Sequence, residues 1–215
     1  MRLGISDHTL RKVALKLYRP IPQSFCGGCG LRDLQSATAS SLARISFEKT
    51  GITDIDKLAA VVKNNSIVVS GIGCTARMPG FIDASLTWHT THGRGATIAS
   101  GIKMSIQGTD EDKTVIAFGG DGDLWAIGAN HTMQAAHRDD VAIKIICYDN
   151  GIYGMTGGQT SPTTQTDIIT ATSPLGNMRE PLNPLKLLMG INPSFLAQAV
   201  VSNHPEHYEQ LQEIL

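Results

Sequence analysis

The amino-acid sequence predicts an α/β fold with a mostly parallel sheet and helices on both faces of the sheet. Three short runs rich in β-branched residues, at positions 67–69, 114–118 and 141–147, alternate with segments of helical pattern. Strands separated by helices pair in parallel through right-handed crossovers. Each run ends in glycine and polar residues, and such sheets bind ligands at the carboxyl ends of their strands. We therefore expect a binding crevice at one edge of the sheet.

Composition narrows the classes of protein that fit. The chain has 215 residues, of which 41% are hydrophobic and 17% charged, and its net charge is -1. This length predicts one globular domain over residues 1–215, and the charge balance argues against nucleic acid as a partner. Apolar runs are strand-sized, far below the ~20 residues needed to cross a bilayer, and no secretion signal is recognisable. We expect a cytoplasmic protein with no membrane partner.

The elements follow in order along the chain. An N-terminal segment, residues 1–30, ends in a glycine-rich loop that carries Cys26 and Cys29 and leads into a helix over residues 31–49. Residues 31–170 form the predicted core, with further helices at residues 92–107 and 124–137. Short helices interrupted by prolines are predicted for residues 171–215.

Three side chains of chemical interest follow the three strands. Cys74, Asp121 and Asn150 all lie at predicted carboxyl ends, so segments distant in sequence are expected to share one crevice. Asn150 comes 29 positions after Asp121, a distance that fits one helix and one strand. Carboxylate and amide oxygens, with the Ile152 carbonyl, are the hard ligands that suit Mg²⁺, and the adjacent Gly120 would let a diphosphate approach the backbone. Taken alone, the same glycine-aspartate sequence also fits a simple strand-to-helix turn with Asp121 as the helix cap.

Several motifs together carry a family resemblance. The Gly-Asp-Gly of residues 120–122 and the Asp-Asn-Gly of residues 149–151 resemble the thiamine diphosphate binding motif. Residues 153–159 (YGMTGGQ), followed by residues 161–164 (SPTT), resemble the β subunit of the 2-oxoacid:ferredoxin oxidoreductases, in the branch that acts on 2-oxoglutarate. Three further segments resemble motifs of the same family and occur in the same order. They are residues 26–30, 70–74 and 91–94 (CGGCG, SGIGC and THGR). The resemblance covers about residues 20–190.

This resemblance implies a thiamine diphosphate-binding fold and an enzyme that is catalytic only with an α subunit. The implied reaction is oxidative decarboxylation of a 2-oxoacid, 2-oxoglutarate being favoured, to an acyl-CoA and CO₂. Electrons would pass through a [4Fe-4S] cluster to ferredoxin, and the partners would be the α subunit, ferredoxin, the 2-oxoacid and coenzyme A. Thiamine diphosphate, Mg²⁺ and the cluster are the implied cofactors.

The same resemblance assigns site residues position by position. Asp121, Asn150 and the Ile152 carbonyl would hold Mg²⁺, and Cys26, Cys29 and Cys74 would ligate the cluster. The residues that the resemblance places in contact with the cofactor are Gly73, Cys74, His92, Gly120, Asp121, Gly122, Asp123, Asn150, Ile152, Tyr153, Gly154, Met155, Thr156 and Gly157. His92, Arg94 and Arg77 are the candidate catalytic residues.

The chain also departs from the family pattern. The fourth cluster cysteine follows a later strand in the family, so we expect the C-terminal segment to end short of that strand; Cys147, inside a predicted strand, fits a small buried hydrophobe better. Some 2-oxoglutarate enzymes carry a lysine at the position of Gly157, which leaves Arg77 and Arg94 to bind a distal carboxylate.

Two other readings of the Cys26/Cys29 loop stay open on the residues alone. The pair could be half of a zinc site, with His89 and His92 as the other half. It could also be a thiol-redox site, since a thiol near a helix N-terminus has a lowered pKa. That fold needs a strand directly ahead of the first cysteine, whereas the preceding residues are helix-like and then rich in proline.

Overall fold

A computed structural model describes residues 5–202 and 204–215 of the chain. The first four residues of the predicted N-terminal segment, and Asn203, lie outside the described residues. Two compact units are present: the first comprises residues up to 67, residues 80–87 and residues from 197 onwards, and the second comprises residues 68–79 and 88–196. The candidate magnesium and diphosphate residues all belong to the second unit.

Helices and strands alternate along most of the chain. The α-helices are α1 (Asp7–Lys16), α2 (Leu31–Thr50), α3 (Ile55–Asn64), α4 (Met78–Phe81), α5 (Gly95–Ile106), α6 (Ala129–His137), α7 (Pro184–Met189) and α8 (Pro205–Ile214). The strands are β1 (Ser66–Ser70), β2 (Leu86–His89), β3 (Thr114–Gly120), β4 (Ile143–Tyr148), β5 (Ile152–Tyr153) and β6 (Gln159–Thr160). A 3₁₀ turn spans Thr75–Arg77, and a π-helix spans Gly122–Ile127.

The first unit is built mainly from helices. In α1 the apolar side chains recur at helical spacing, and Leu10, Val13 and Ala14 are buried. The Phe25 ring, one residue before the Cys26 loop, packs against Phe81 with ring centroids 4.8 Å apart. This contact anchors the start of the loop.

A four-stranded sheet has the strand order β2-β1-β3-β4. Strands β3 and β4 are parallel, with Val115 aligned to Ile143 and Gly120 aligned to Tyr148. Val115, Ile116 and Phe118 of β3 are buried, as expected for a central strand covered on both faces. Helix α5 packs against β3 and α6. The prediction of an α/β fold with a mostly parallel sheet is confirmed.

Three element boundaries differ from the prediction. Helix α5 begins at Gly95 rather than at residue 92, because residues 90–94 form a turn that is held by the Asp123 side chain. The helix predicted over residues 124–137 is divided into the π-helix and α6, with Gly128 between them. Strand β4 begins at Ile143, two residues later than expected.

Within the described ranges, no helix is both long and apolar enough to cross a membrane.

Candidate functional site

Two carboxylates lie side by side where β3 and β4 end. The strand register aligns Gly120 with Tyr148, so the next residue on each strand is an aspartate, Asp121 or Asp149. The Thr163 hydroxyl oxygen lies 3.2 Å from Asp121 Oδ2 and 2.7 Å from Asp149 Oδ1. A hydroxyl carries a single proton, so the two carboxylates share one donor.

The environment of Asp121 disfavours its negative charge. Only 2% of the residue is exposed, and burial raises the pKa of its carboxyl; the charge of Asp149 adds to this, while a hydrogen bond from Ser161 opposes it. Two clustered carboxylates with one shared donor leave an excess of negative charge that a divalent cation would neutralise. This donor set fits Mg²⁺.

Asn150 and Cys74 converge on Gly154. A Cβ added to Gly154 would lie 3.7 Å from Cys74 Sγ and 3.8 Å from Asn150 Nδ2. Asn150 Oδ1 accepts a hydrogen bond of 3.2 Å from the Ile152 amide, which fixes the side chain beside that residue. The structure therefore brings the ends of β1, β3 and β4 to one place, as the sequence predicted.

Glycines leave room for a ligand along this edge. A Cβ on Gly120 would lie in ordinary contact with Thr75 Oγ1, at 3.6 Å, and a Cβ on Gly157 would meet only Gln159 Nε2, at 3.9 Å. Gly157 and Gly158 adopt φ values of 113° and 90°, which side chains rarely allow. Their turn is closed by a 2.9 Å hydrogen bond from the Gly158 amide to the Tyr153 carbonyl. This glycine-rich turn fits the close approach of a diphosphate.

Gly122 serves a different contact. A Cβ at this position would overlap the ring of Tyr153, whose hydroxyl donates to the Gly122 carbonyl at 3.3 Å. Burial raises the pKa of the Tyr153 hydroxyl, and the charges of Asp121 and Asp123 raise it further, so this hydroxyl remains a donor. Gly122 is thus required by the packing of Tyr153.

His92 is bonded to Asp123 and does not cap a helix. Its Nδ1 lies 2.6 Å from Asp123 Oδ1, and the residue before α5 is Arg94, which makes no side-chain cap bond. The Arg94 guanidinium instead donates to the carbonyls of Gly93 and Ile127, at 3.2 and 3.4 Å. Arg94 therefore stabilises the turn ahead of α5.

The remaining predicted contacts are more exposed. Arg77 is exposed at the end of the 3₁₀ turn, and Met155 is exposed on the glycine-rich turn. Gly73 has a φ of 130° just ahead of Cys74, and Thr156 donates to Gln159 Oε1 at 2.5 Å. Their roles toward a cofactor or substrate stay predictions.

The cysteines occupy both units. Cys26 is exposed in the first unit, where the Cys29 amide closes a turn on the Cys26 carbonyl at 3.4 Å just before α2. Cys74 belongs to the second unit. Across residues 5–202 and 204–215, no three His, Cys, Asp or Glu side chains are arranged to hold a metal ion. Cluster ligation by Cys26, Cys29 and Cys74 remains a prediction.

Cys147, expected to be buried, is intermediate in exposure, and its thiol is hydrogen-bonded within the fold. It accepts a 3.1 Å hydrogen bond from Trp125 Nε1, and burial raises the pKa of its thiol, so that it is neutral at physiological pH. His89, which the zinc alternative would use, places its Nδ1 3.1 Å from the Ser70 hydroxyl and lies at the end of β2. No strand lies between α1 and Cys26 in this fully described stretch, which argues against the thiol-redox alternative.

The sequence analysis missed three side chains of the candidate site. Thr163, Ser161 and Asp149 complete the surroundings of Asp121, and none was singled out as a site residue. A signal was available: Asp149 directly precedes Asn150, and hydroxyl residues are concentrated at 160–164. Their assembly depends on a loop that returns to the sheet edge.

Replacing Thr163 with valine is expected to lower the free energy of unfolding by about 1–3 kcal/mol near neutral pH, because both carboxylates lose their shared donor. Burial raises the pKa of Asp121 above its ordinary 3.8. The folded state therefore favours the protonated carboxyl. Its contribution to stability is complete below pH 3.8 and is lost as the pH rises through the raised pKa. In acid a protonated, neutral Asp121 depends less on the Thr163 donor, and the cost of the substitution should shrink. Denaturant unfolding between about pH 4 and pH 8 measures this; a cost independent of pH would contradict the shared donor.

Comparison with known proteins agrees with this geometry. Residues 71–215 match the family model described as thiamine pyrophosphate enzyme, C-terminal TPP binding domain. The chain belongs to the thiamine pyrophosphate enzyme family. Thiamine pyrophosphate is another name for thiamine diphosphate, so the predicted thiamine diphosphate-binding domain is confirmed; Mg²⁺ and the [4Fe-4S] cluster stay predictions.

Relatives of this thiamine pyrophosphate enzyme chain include β subunits of 2-oxoacid oxidoreductases. The 2-oxoglutarate synthase subunit KorB of Methanothermobacter thermautotrophicus is 36% identical over 185 residues, which cover 86% of this chain and 57% of the relative. The 2-oxoacid:ferredoxin oxidoreductase subunit beta of a Sulfolobus species is 34% identical over 182 residues, covering 84% of this chain and 53% of the relative. The predicted resemblance is confirmed.

A solved structure is also similar. It is a 2-oxoglutarate:ferredoxin oxidoreductase from Magnetococcus marinus with 2-oxoglutarate, coenzyme A and succinyl-CoA bound. The TM-score is 0.76 at 30% sequence identity, with 94% of this chain and 61% of that chain covered. The chain thus spans 53–64% of the length of these relatives.

Proposed function

We propose that this chain is the β subunit of a thiamine diphosphate-dependent 2-oxoacid:ferredoxin oxidoreductase that favours 2-oxoglutarate. The reaction would convert the 2-oxoacid and coenzyme A into the acyl-CoA and CO₂ and deliver electrons to ferredoxin through a [4Fe-4S] cluster. The observation that carries the proposal is the buried carboxylate of Asp121 beside Asp149, at a sheet edge lined by glycines. The β subunits of 2-oxoacid oxidoreductases among its relatives support the same reaction class.

Each part of the site would do a separate task. Asp121, Asn150 and the Ile152 carbonyl would hold Mg²⁺, which would offset the shared charge of Asp121 and Asp149. Backbone groups of the turn at Gly157 would receive the diphosphate. Thiamine diphosphate supplies the reactive carbon centre that cleaves 2-oxoacids, and the protein orients it.

The exposed apolar surface of the second unit supports a partner subunit. Leu175, Met178 and Phe195 are 97%, 92% and 69% exposed, in an extended segment that contains only the short helix α7. Large apolar side chains left exposed near one another in the sequence are typical of a protein interface. We propose that an α subunit covers this segment, and that it supplies the carboxylate that the pyrimidine ring of the cofactor needs.

The closing experiment is anaerobic purification of the chain with its partner subunit, followed by ultraviolet-visible and electron paramagnetic resonance spectroscopy. We expect iron in the preparation, and reduction of a cluster signal when 2-oxoglutarate and coenzyme A are added. A variant with Cys26 replaced by serine should lose iron. The matched variant of Cys147, which accepts a hydrogen bond from Trp125, should retain it.

The same experiment separates the competing readings. If the preparation contains zinc and no iron, and the zinc is lost when Cys26 is replaced, the result would support the zinc alternative. A cluster that another 2-oxoacid reduces faster would keep the reaction class and change the substrate. Iron that no 2-oxoacid reduces would overturn the proposed activity.

A further inference from the structure

A single carboxylate oxygen connects three segments of the second unit. Asp123 Oδ1 accepts hydrogen bonds from the Ile72 amide at 3.0 Å and the Gly93 amide at 2.7 Å, and it lies 2.6 Å from His92 Nδ1. The residue is 2% exposed. The end of β1, the turn before α5 and the start of the π-helix therefore meet at this oxygen.

The second oxygen of Asp123 occupies a slot made by two glycines. Oδ2 is buried and has no hydrogen-bond partner among the residues that the structure describes. A Cβ on Gly71 would overlap the carboxylate, and a Cβ on Gly119 would lie 2.7 Å from Oδ2. Burying an unpaired carboxylate oxygen costs free energy. The side chain is held in this position at a cost to stability, which points to a functional reason.

This arrangement determines which nitrogen of His92 carries the proton. Oδ1 already accepts two backbone N–H groups, so it can only accept from the imidazole as well. Nδ1 must therefore be the donor, and the neutral ring is left with an unprotonated Nε2. A third of the His92 side chain is exposed, and its ring meets the Tyr153 ring edge-on, with centroids 6.4 Å apart. Tyr153 in turn packs over Gly122, the first residue of the π-helix.

We propose that Asp123 is a positioning residue that acts through His92 and does not contact the cofactor itself. It holds the imidazole with Nδ1 protonated, so that Nε2 faces an oxyanion bound at the edge of the sheet and donates to it when the ring is protonated. The oxyanion is a diphosphate oxygen of the cofactor or the carboxylate of the 2-oxoacid. This inference rests on the proposed function of the site.

The first test uses ¹⁵N NMR of the histidine side chains in the purified chain, without cofactor. We expect His92 as the single Nδ1-protonated tautomer in the wild-type chain and in Asp123→Asn, because the amide oxygen can keep the three contacts of Oδ1. In Asp123→Ala the ring should become a mixture of tautomers. A fixed Nδ1 proton in Asp123→Ala, or a wild-type ring protonated on Nε2 alone, would overturn the proposal.

The second test uses His92→Asn, which keeps a donor for Asp123 Oδ1 and places no atom where Nε2 lies. Its thermal stability should match that of the wild-type chain. Binding of the oxyanion should weaken about 10- to 100-fold, the loss expected for one charge-assisted hydrogen bond. The dissociation constant of Mg²⁺-thiamine diphosphate and the KM for 2-oxoglutarate are measured separately in the assembled enzyme.

The two measurements identify the source of the oxyanion. A loss confined to the dissociation constant assigns the diphosphate, and a loss confined to KM assigns the 2-oxoacid carboxylate; no loss in either would overturn the proposal. Asp123→Asn keeps the position of the ring but removes the carboxylate charge beside it, so it should bind more weakly than the wild-type enzyme and more tightly than Asp123→Ala. If the wild-type enzyme binds no thiamine diphosphate, the proposed function fails, while the NMR result still judges the Asp123–His92 pairing.

Discussion

Replacing Asp121 with alanine is expected to abolish Mg²⁺-dependent binding of thiamine diphosphate, with a loss of about 1000-fold or more, equivalent to about 4 kcal/mol. The reason is that Asp121 is the buried carboxylate at the carboxyl end of β3, where burial and the charge of Asp149 disfavour its negative charge without a cation. Titration calorimetry with and without Mg²⁺ measures the loss. The stabilisation of the folded chain by saturating cofactor, about 2.7 kcal/mol at 100 times the dissociation constant, should disappear with it.

An alanine at Asp110 is the matched control. Asp110 is exposed in the loop after α5 and lies outside the site, so its replacement should leave cofactor binding unchanged. The folded chain should survive the loss of the Asp121 charge, because removing a buried carboxylate removes a desolvation cost. Normal cofactor affinity in the Asp121 variant would show that the metal is held elsewhere.

Replacing Gly95 with alanine is expected to lower the free energy of unfolding by about 1–3 kcal/mol, although alanine is the better helix former. Gly95 begins α5, and a Cβ there would lie 2.7 Å from the Gly71 amide nitrogen and 3.0 Å from the Ser70 carbonyl carbon. Both are backbone atoms of the segment that leads to Cys74, and neither can rotate away. The thermal midpoint should fall by about 2–4 °C per kcal/mol.

Gly101 provides the control within the same helix. A Cβ at Gly101 meets no atom within 4 Å, so alanine there should raise stability by about 0.5–1 kcal/mol. The two substitutions make the same chemical change and are expected to differ in sign. Equal effects would show that the Gly95 contact relaxes freely.

Sequence patterns located the elements that carry strong local signals. Strands β1, β3 and β4 are runs of β-branched residues, and α2 follows a glycine-rich loop with a long helical pattern, so each was placed within about two residues. Strand β2 was missed because three of its four residues are exposed and its alternation is weak. Helix α3 was also missed, although Asp54 caps it and Leu58, Ala59 and Val62 recur at helical spacing.

The site was predictable to the extent that it follows the strand ends. Asp121, Asn150 and Cys74 could be placed together because parallel strands end at one edge. The partnership of Asp123 with His92 could not be predicted, because it depends on how three turns pack around one oxygen. The slot for Asp123 Oδ2 requires Gly71 and Gly119, which lie far apart in the sequence and meet only in the folded chain.

The π-helix that follows Asp121 constrains the number of residues between Asp121 and α6, and not only which residues they are. The Gly128 amide bonds to the Asp123 carbonyl five residues earlier, at 3.0 Å, and α6 begins directly afterwards. Deleting one residue between them would restore ordinary helical spacing and turn α6 by about 100° around its own axis. Thr132 and Ala135 would leave the buried side of α6. In an alignment of related chains, we expect the residue types at positions 122–128 to vary and no insertion or deletion to occur among them.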